Sequence, residues 1–246
     1  MAKIFRVGGC VRDKMLGVET NDIDFTFVLD DLSGTPEQGF TGMDAFLKKE
    51  GYEVFLRTPD CFTIRAKFPK DHKFAGLVAD FVMARKEVGY EEGTRKPLLV
   101  LGTLEDDLIR RDFTLNAMAE DENGTIIDLF EGAKHLKEGI LVTPRDPVVT
   151  FMDDPLRMLR ALRFSVTKGF TIAEPVWEAM FQEGLIERLR TTVSQERIRE
   201  EMNKAFKVNT LATIRLLHVI DAREPKLTEV IFDNGLWLQP TFKNNK

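Results

Sequence analysis

Two aspartates at alternate positions, Asp22 and Asp24, are the residues of this 246-residue chain best suited to chemistry. On a β-strand the side-chain period is two, so both carboxylates would point to one face, roughly 7 Å apart, while Ile23 points into the core. Like charges at that spacing repel each other unless cations lie between them. Two divalent ions about 3.5–4 Å apart are what nucleotidyl transfer uses. The spacing therefore predicts that Asp22 and Asp24 bind two divalent cations; the alternative is an exposed edge strand with surface aspartates.

A third carboxylate, Asp80, lies inside the apolar run LVADFV of residues 77–82. A charge within such a strand needs a partner or a metal ion, because burying an unpaired charge is costly. The sequence leaves two alternatives open, a third metal ligand and a buried salt bridge.

The run GGCVRD of residues 8–13 follows a short strand pattern and precedes a helical one. Glycines at such a turn let backbone N–H groups approach a phosphate closely. Arg12, one turn into the helix, can bind triphosphate oxygens in a bidentate manner. Gly8, Gly9 and Arg12 therefore predict a phosphate site; the alternative is an ordinary strand, turn and helix.

The run RRDFTLNAM of residues 110–118 combines a basic pair, an acid and an amide. With Asn116 one helical turn after Asp112, the acid would hold a ribose hydroxyl, Arg111 a phosphate and Asn116 a sugar or phosphate oxygen. A helix cap with surface arginines is the alternative.

The run DDPLRMLRALRF of residues 153–164 begins with an N-cap acid, Asp154, followed by Pro155 at the first helical position. Arg157, Arg160 and Arg163 advance by three and form a basic helix face. Asp154 can accept from an exocyclic amino group while Arg157 donates to the adjacent ring nitrogen. This pair predicts selection of cytosine and adenine over guanine and uracil; helix capping is the structural alternative.

The elements that must position these residues change along the chain. Residues 1–85 alternate short strands and helices, and residues 85–102, rich in Gly and charge, predict a long mobile loop. The pattern turns helical from Leu104, apart from residues 124–128 and 139–142, which predict one short strand pairing. After Asp153 nearly every stretch is helical, and Met152 to Val166 is expected as one helix. We place the domain boundary near residues 146–152.

Composition and charge limit the function classes. The chain is 43% apolar and 30% charged, which excludes disorder, and its apolar runs are too short to cross a membrane. The net charge is −5, yet residues 155–215 hold eleven Lys and Arg against seven Asp and Glu. An acidic first part suits metal ions and a basic second part suits phosphate backbones. Two cysteines, Cys10 and Cys61, fit a reducing compartment, and we expect a cytoplasmic protein.

Taken in their order along the chain, the glycine turn, the aspartate pair and the runs at residues 110–118 and 153–164 resemble a known family. It is the class II branch of the DNA polymerase β-like nucleotidyltransferases, namely CCA-adding tRNA nucleotidyltransferases and bacterial poly(A) polymerases. The resemblance covers about residues 3–206 and includes the run SQERI of residues 194–198, which is similar to a later neck-helix motif. Residues 85–97 resemble the loop that full CCA-adding enzymes use to switch from C to A. The template motif usually begins with Glu, where this chain has Asp153.

The resemblance implies an α+β fold, with a polymerase β-like head of mixed sheet and flanking helices followed by an all-helical neck. The expected domains are a catalytic head of residues 1–150, an RNA-binding neck of residues 151–222 and a tail of residues 223–246, of which 234–246 is expected to be frayed. Relatives continue into body and tail regions that grip tRNA. The implied catalytic residues and metal ligands are Asp22 and Asp24, and the implied nucleotide-binding residues are Gly8, Gly9, Arg12, Arg111, Asp112, Asn116, Asp154, Arg157, Arg160 and Arg163.

The implied function is Mg²⁺-dependent, template-independent addition of CCA from CTP and ATP to the 3′ end of tRNA. A-only addition, by an A-adding enzyme or a poly(A) polymerase, shares every motif. Two other classes stay open: a silent RNA-binding module, and a nucleotidyltransferase that modifies a protein or small molecule. The intact Asp22 and Asp24 favour an enzyme, and the basic helix face favours RNA.

Overall fold

A computed structural model describes residues 2–20, 22–90 and 97–232 of the chain. The expected frayed tail at residues 234–246 and the tip of the expected loop, residues 91–96, lie outside the described residues. The chain divides into two compact units, Met1–Leu136 and Lys137–Lys246. The assignment of a head to residues 1–150 and a neck to 151–222 remains a prediction. None of the helices in the described ranges is long and apolar enough to cross a membrane.

The first unit is built on a seven-stranded sheet with the order β3-β4-β5-β2-β1-β8-β9. Its neighbours are antiparallel, except that β2 and β5 run parallel, which confirms the expected mixed sheet. The strands of this unit are β1 Ala2–Val7, β2 Asp24–Leu29, β3 Glu53–Thr58, β4 Thr63–Lys67, β5 Val78–Met83, β6 Arg85–Tyr90, β7 Pro97–Leu101, β8 Met118–Glu120 and β9 Ile126–Asp128.

Helices cover parts of both faces of this sheet. Because side chains alternate along β2, Phe27 and Thr26 point to opposite faces. The ring of Phe27 packs edge-on against Phe46 of α2, with 5.3 Å between ring centroids, while the Thr26 hydroxyl donates to Asp107 of α3. The helices that begin in this unit are α1 Gly9–Met15, α2 Pro36–Lys49, α3 Leu104–Ile109 and α4 Gly132–Glu138.

The prediction of a loop at residues 85–102 is wrong for residues 85–90 and 97–101, which form strands. There β6 and β7 form an antiparallel pair in which Arg85 lies opposite Leu101. A Cβ on Gly102 would lie 2.7 Å from the backbone carbonyl carbon of Arg85, so the glycine permits this close approach. The local abundance of glycine and charge indicated a loop, but the apolar residues before Gly102 pair as a strand.

Two further local predictions are wrong. The helix that begins at Leu104 ends at Ile109, and residues Thr114–Asn116 form a separate 3-10 turn. Residues 126–128 pair with β8, whereas Ile140–Leu141, β10, pairs in parallel with Thr171–Ile172, β11. Periodicity identifies a strand but not its partner, because the partner is chosen by contacts between distant parts of the chain.

The second unit is almost entirely helical, with β10 and β11 as its only strands within the described residues, in keeping with the expected helical neck. Asp154 and Pro155 interrupt the expected helix from Met152 to Val166, since the chain is extended at Asp154. The long helix α9 kinks at Asn209, whose side chain accepts from the Ala212 N–H. The helices of this unit are α5 Pro147–Asp153, α6 Leu156–Lys168, α7 Glu174–Ala179, α8 Leu185–Thr192, α9 Gln195–Asp221 and α10 Pro225–Ile231.

Gly132 is where α4 packs most closely on the first unit. A Cβ there would overlap the carbonyl oxygen of Thr114 and lie 2.9 Å from the Met118 side chain. We expect Gly132→Ala to lower the free energy of unfolding by about 1–3 kcal/mol, measured by urea denaturation. The matched control is Gly42→Ala in α2, where the Cβ meets nothing within 4 Å. That change should raise stability by about 0.5–1 kcal/mol, and equal effects of the two substitutions would contradict the packing.

Candidate functional site

The carboxylate pair lies at the start of β2. Asp24 is the first residue of the strand and Asp22 precedes it, with the Asp22 N–H donating to the Thr20 hydroxyl at 3.1 Å. Asp22 is exposed and Asp24 is partly buried. Asp24 and Thr26 share one face of the sheet, because side chains alternate along the strand. The charge of Asp22 acts on Asp24, so the two carboxylates lie near one another at the start of the strand.

Burial and like charge both act on Asp24. Burial raises the pKa of Asp24, and the nearby charges of Asp22 and Asp80 raise it further, while Arg111 and Arg65 lower it. The net shift is upward, so the ionised carboxylate is disfavoured at this position. A cation beside the pair would relieve this cost.

Asp80 lies next to Asp24 and forms a salt bridge with Arg65. In the parallel register Asp80 lies directly beside Asp24. Its two carboxylate oxygens accept from Arg65 on β4, at 2.8 Å from Nε and 2.7 Å from Nη2. Asp80 therefore forms a salt bridge that is partly exposed instead of buried, and its role as a third metal ligand stays a prediction.

The glycine turn between β1 and α1 meets a basic side chain from a distant motif. Gly8 has a positive φ of 80°, and a Cβ on it would lie 2.7 Å from Nη1 of Arg111. Arg111 is also among the charges that act on Asp24. The structure thus brings the glycine turn, the second Arg of the later motif and the carboxylate pair together, as the predicted phosphate site requires.

Asp107 holds Arg111 in this place, and the sequence reasoning missed it. One oxygen of the buried Asp107 carboxylate accepts from Nη2 of Arg111 at 2.8 Å, from its Nε at 3.2 Å, and from the Thr26 hydroxyl at 2.8 Å. Although burial opposes it, the charges of Arg111 and Arg110 hold the pKa of Asp107 below its ordinary value. The four-residue spacing of Asp107 and Arg111 on a helical pattern was the signal that could have found this pair.

A chain of buried hydrogen bonds connects the runs GGCVRD and RRDFTLNAM. Arg12 donates from Nη1 to the amide oxygen of Asn116 at 2.6 Å. The Asn116 amide nitrogen donates to Asp112 at 2.9 Å, and the same Asp112 oxygen accepts from the Phe113 N–H at 2.8 Å. Three predicted nucleotide-binding residues are therefore adjacent, but through a 3-10 turn instead of the expected helical turn.

The template-like motif belongs to the second unit. The predicted N-cap at Asp154 is wrong by one residue, because α6 begins at Leu156 with Pro155 as its N-cap. The Asp154 carboxylate still accepts from the Leu156 N–H at 3.2 Å, while its other oxygen lies 3.7 Å from Nη2 of Arg197. Arg157 donates from Nη1 to the Thr150 carbonyl at 3.2 Å. Both predicted base-reading side chains are thus oriented by contacts within their own unit.

Arg160 and Arg163 share a partner that the sequence reasoning also missed. Glu201 of α9 is 5% exposed and forms ion pairs with Arg163 and, at 3.7 Å, with Nη1 of Arg160. Lys204 lies 3.5 Å from the same carboxylate. The basic face predicted on α6 is therefore partly neutralised by a buried acid on α9.

The chemistry of Asp22 and Asp24 fits a hard divalent cation, because Mg²⁺ prefers carboxylate oxygens and two repelling carboxylates gain from a shared cation. Over residues 2–20, 22–90 and 97–232, no group of three or more His, Cys, Asp and Glu side chains is arranged to hold a metal ion. Binding of metal ions by the Asp22 and Asp24 pair therefore stays a prediction.

Comparison with known protein families decides the family. Residues 4–142 match the model of the poly A polymerase head domain, which is more than half of the chain. The chain belongs to this family. The match includes every site residue of the first unit, and it confirms the resemblance inferred from the motifs. We refer to residues 4–142 below as the head domain.

Several proteins that are similar to this chain are named as tRNA nucleotidyltransferases or CCA-adding enzymes. The chain is 36% identical over 207 residues to the mitochondrial CCA tRNA nucleotidyltransferase of Saccharomyces cerevisiae, covering 80% of this chain and 37% of the relative. It is 35% identical over 202 residues to the CCA-adding enzyme of Bacillus pumilus, covering 82% and 45%. The solved Thermotoga maritima CCA-adding enzyme complexed with tRNA has a TM-score of 0.68 and 26% identity, over 97% of this chain and 50% of that one. The chain spans half or less of the length of these proteins.

The contact of Gly8 with Arg111 in the head domain can be tested by adding one methyl group. We expect Gly8→Ala to destabilise the protein by at least about 1 kcal/mol more than Gly17→Ala, because Arg111 is held by Asp107 and cannot yield freely. Gly17 also has a positive φ, of 70°, but its Cβ would meet nothing within 4 Å. Urea denaturation of both variants measures the difference, and equal losses would show that Arg111 does not restrict the turn.

The buried ion pairs of Glu201 give a second test, in the other unit. We expect Glu201→Gln to cost on the order of 3 kcal/mol of stability, because it leaves the charge of Arg163 buried without its partner. Glu200, its exposed neighbour on α9, supplies the matched control Glu200→Gln, which should change stability by less than about 0.5 kcal/mol. Thermal and chemical unfolding measure both, and a neutral Glu201→Gln would contradict the pairing.

Proposed function

We propose that this chain adds C and A nucleotides from CTP and ATP to the 3′ end of tRNA without a nucleic-acid template. The observation that carries the proposal is the arrangement in the head domain, where Asp22 and Asp24 lie near Arg111 and the Gly8 turn. It is supported by the relatives, which are named as CCA-adding enzymes, and by solved relatives with tRNA and CTP.

In the proposed reaction the tRNA 3′-hydroxyl attacks the α-phosphorus of the incoming nucleotide, and pyrophosphate leaves. Asp22 and Asp24 would hold two Mg²⁺ ions, which lower the pKa of the attacking hydroxyl and stabilise the leaving pyrophosphate when bound. Gly8, Gly9 and Arg111 would line the triphosphate site, where the absence of a Cβ lets the phosphates approach the turn and Arg111 supplies a fixed charge. The Gly8 N–H itself donates to the Met118 carbonyl at 3.3 Å.

Arg12, Asn116 and Asp112 form the part of the site that we assign to the ribose and its phosphates. Their hydrogen bonds fix the Asp112 carboxylate in one orientation. A carboxylate held in this way can accept from a ribose hydroxyl with little loss of side-chain entropy. We therefore assign discrimination of ribonucleotides to Asp112.

Base selection is assigned to the second unit. Asp154 would accept from the exocyclic amino group of cytosine or adenine, and Arg157 would donate to the adjacent ring nitrogen. Guanine and uracil present a carbonyl oxygen in place of that amino group and would be repelled by Asp154. Arg160 and Arg163 would bind phosphates of the RNA or nucleotide with the charge that Glu201 leaves them.

We also propose a cytoplasmic location. Cys10 and Cys61 are both free thiols, which fits a reducing compartment. The yeast relative is mitochondrial by name, and fractionation of cells with an antibody to this protein would distinguish the two compartments.

Extension of labelled tRNA transcripts tests the proposed activity. Transcripts that end before CCA, after C and after CC are incubated with CTP, ATP or both, and with Mg²⁺. We expect ordered addition of C, C and A that then stops. Growth with ATP alone to long tails would identify the alternative, A-only synthesis, and absence of any extension in the presence of both nucleotides would contradict the proposal.

Three variants connect that assay to the assigned residues. The double variant Asp22→Ala/Asp24→Ala should lose at least about 10³-fold in rate, in line with loss of a metal-binding catalytic pair. Arg157→Ala should instead lose preference for CTP and ATP over UTP and GTP. Arg190→Ala, at an exposed site near the end of α8, removes the same charge elsewhere and should leave both rate and preference unchanged.

A further inference from the structure

A hollow lies on the face of the seven-stranded sheet opposite to the carboxylate pair. Phe25, Arg6 and Glu120 are direct neighbours across β2, β1 and β8, so all three point to the same face. Since Asp24 precedes Phe25 on the strand, it points to the other face. The hollow has a volume of about 740 Å³, within the range of about 300–1,000 Å³ typical of small-molecule sites.

Aromatic rings form one wall of this back-face hollow. Tyr52, His72 and Phe74 are each partly exposed and pack around the buried ring of Phe68. Their ring centroids lie 5.1, 4.6 and 5.3 Å from that of Phe68. Burial, and then the charge of Lys73, lowers the pKa of His72, so its ring is neutral at pH 7. Arg6 and Lys73 lie over the Phe74 ring, 5.7 and 5.4 Å from its centroid, so a flat ring would stack on this wall beside cationic groups.

The opposite side of the back-face hollow is polar and carries both hydrogen-bond donors and hydrogen-bond acceptors. Arg6 pairs with Glu120, which Lys14 also contacts at 2.6 Å, and Nε of Arg6 is buried with no hydrogen-bond partner in the described part of the chain. Acceptors come from the carboxylates of Glu50 and Glu122, which also line the hollow. Lys3 and Lys73 also line the hollow, which therefore offers ammonium donors and carboxylate acceptors beside an aromatic wall.

We propose that the back-face hollow is a binding site for a nucleobase, separate from the candidate active site. A nucleobase is flat enough to stack on the aromatic wall, and its edge carries both amino donors and carbonyl or ring-nitrogen acceptors. An aromatic acid would meet the carboxylates of the hollow, and an aromatic cation would meet Arg6. The mixed edge of a base satisfies both sets of groups. The base belongs either to a free nucleoside or to a single strand of RNA.

Fluorescence of 2-aminopurine riboside tests the site directly. The nucleoside is titrated with the full chain in the presence of Mg²⁺ and saturating inorganic tripolyphosphate, which carries no base and occupies the phosphate part of the candidate active site. We expect saturable quenching of the base, unchanged in Asp24→Asn. We also expect roughly tenfold weaker binding in Phe74→Ala and in His72→Ala, because one stacking ring is worth about 1–3 kcal/mol.

The matched control is Phe55→Ala, which removes an aromatic ring that is 52% exposed on β3 and does not line the hollow. Melting curves establish that each variant is folded, and Phe74→Leu with His72→Gln replaces any that is not. Tighter binding of a short oligonucleotide containing 2-aminopurine than of the nucleoside identifies RNA as the source, and the reverse identifies a free nucleoside. Absence of saturable quenching, displacement by tripolyphosphate, or full binding in both ring variants would overturn the proposal.

Discussion

Negative charge concentrated at the start of β2 is the constraint around which the first unit is arranged. Asp24 begins the strand, Asp22 precedes it, and the parallel pairing with β5 brings Asp80 alongside. Such a group of carboxylates is costly unless cations surround it. Arg65 neutralises Asp80 from β4, and Arg111 approaches Asp24 from the segment after α3. The Asp22 and Asp24 pair is left as the position where a further cation is most favourable.

The same logic explains the residues that do not themselves touch a ligand in our proposal. Asp107 fixes the guanidinium of Arg111 against the Gly8 turn, and Thr26 donates to the same carboxylate. In the second unit, Glu201 fixes Arg160 and Arg163. Each unit thus uses one buried acid to orient the basic side chains that the proposed reaction needs. This preorganisation lowers the entropy lost when a phosphate binds.

Much of the site could be predicted from the sequence because it depends on local spacing. Three features each depend on only a few consecutive residues: the alternation of Asp22 and Asp24, the glycines before a helix, and the bond from the Leu156 N–H to Asp154. The partners of these residues were not accessible. Arg12 meets Asn116 across 104 residues and Arg163 meets Glu201 across 38, and no local pattern encodes such pairs. For the same reason the strand pairing of residues 139–142 was predicted wrongly. The pairing of β6 with β7 was missed for a different reason, because local glycine and charge indicated a loop.

Stability measurements on Asp24→Asn test the central claim, that Asp24 is held at a cost which a cation relieves. A raised pKa means that the native protein binds the Asp24 proton more tightly than the unfolded chain does, so native stability falls as pH rises through that pKa. Without divalent ions, the account predicts that Asp24→Asn is more stable than the parent protein at neutral pH. This advantage should shrink as pH falls below the ordinary Asp pKa, and added Mg²⁺ should stabilise only the parent protein. A variant that is no more stable at neutral pH, or that gains as much from Mg²⁺ as the parent, would contradict the account.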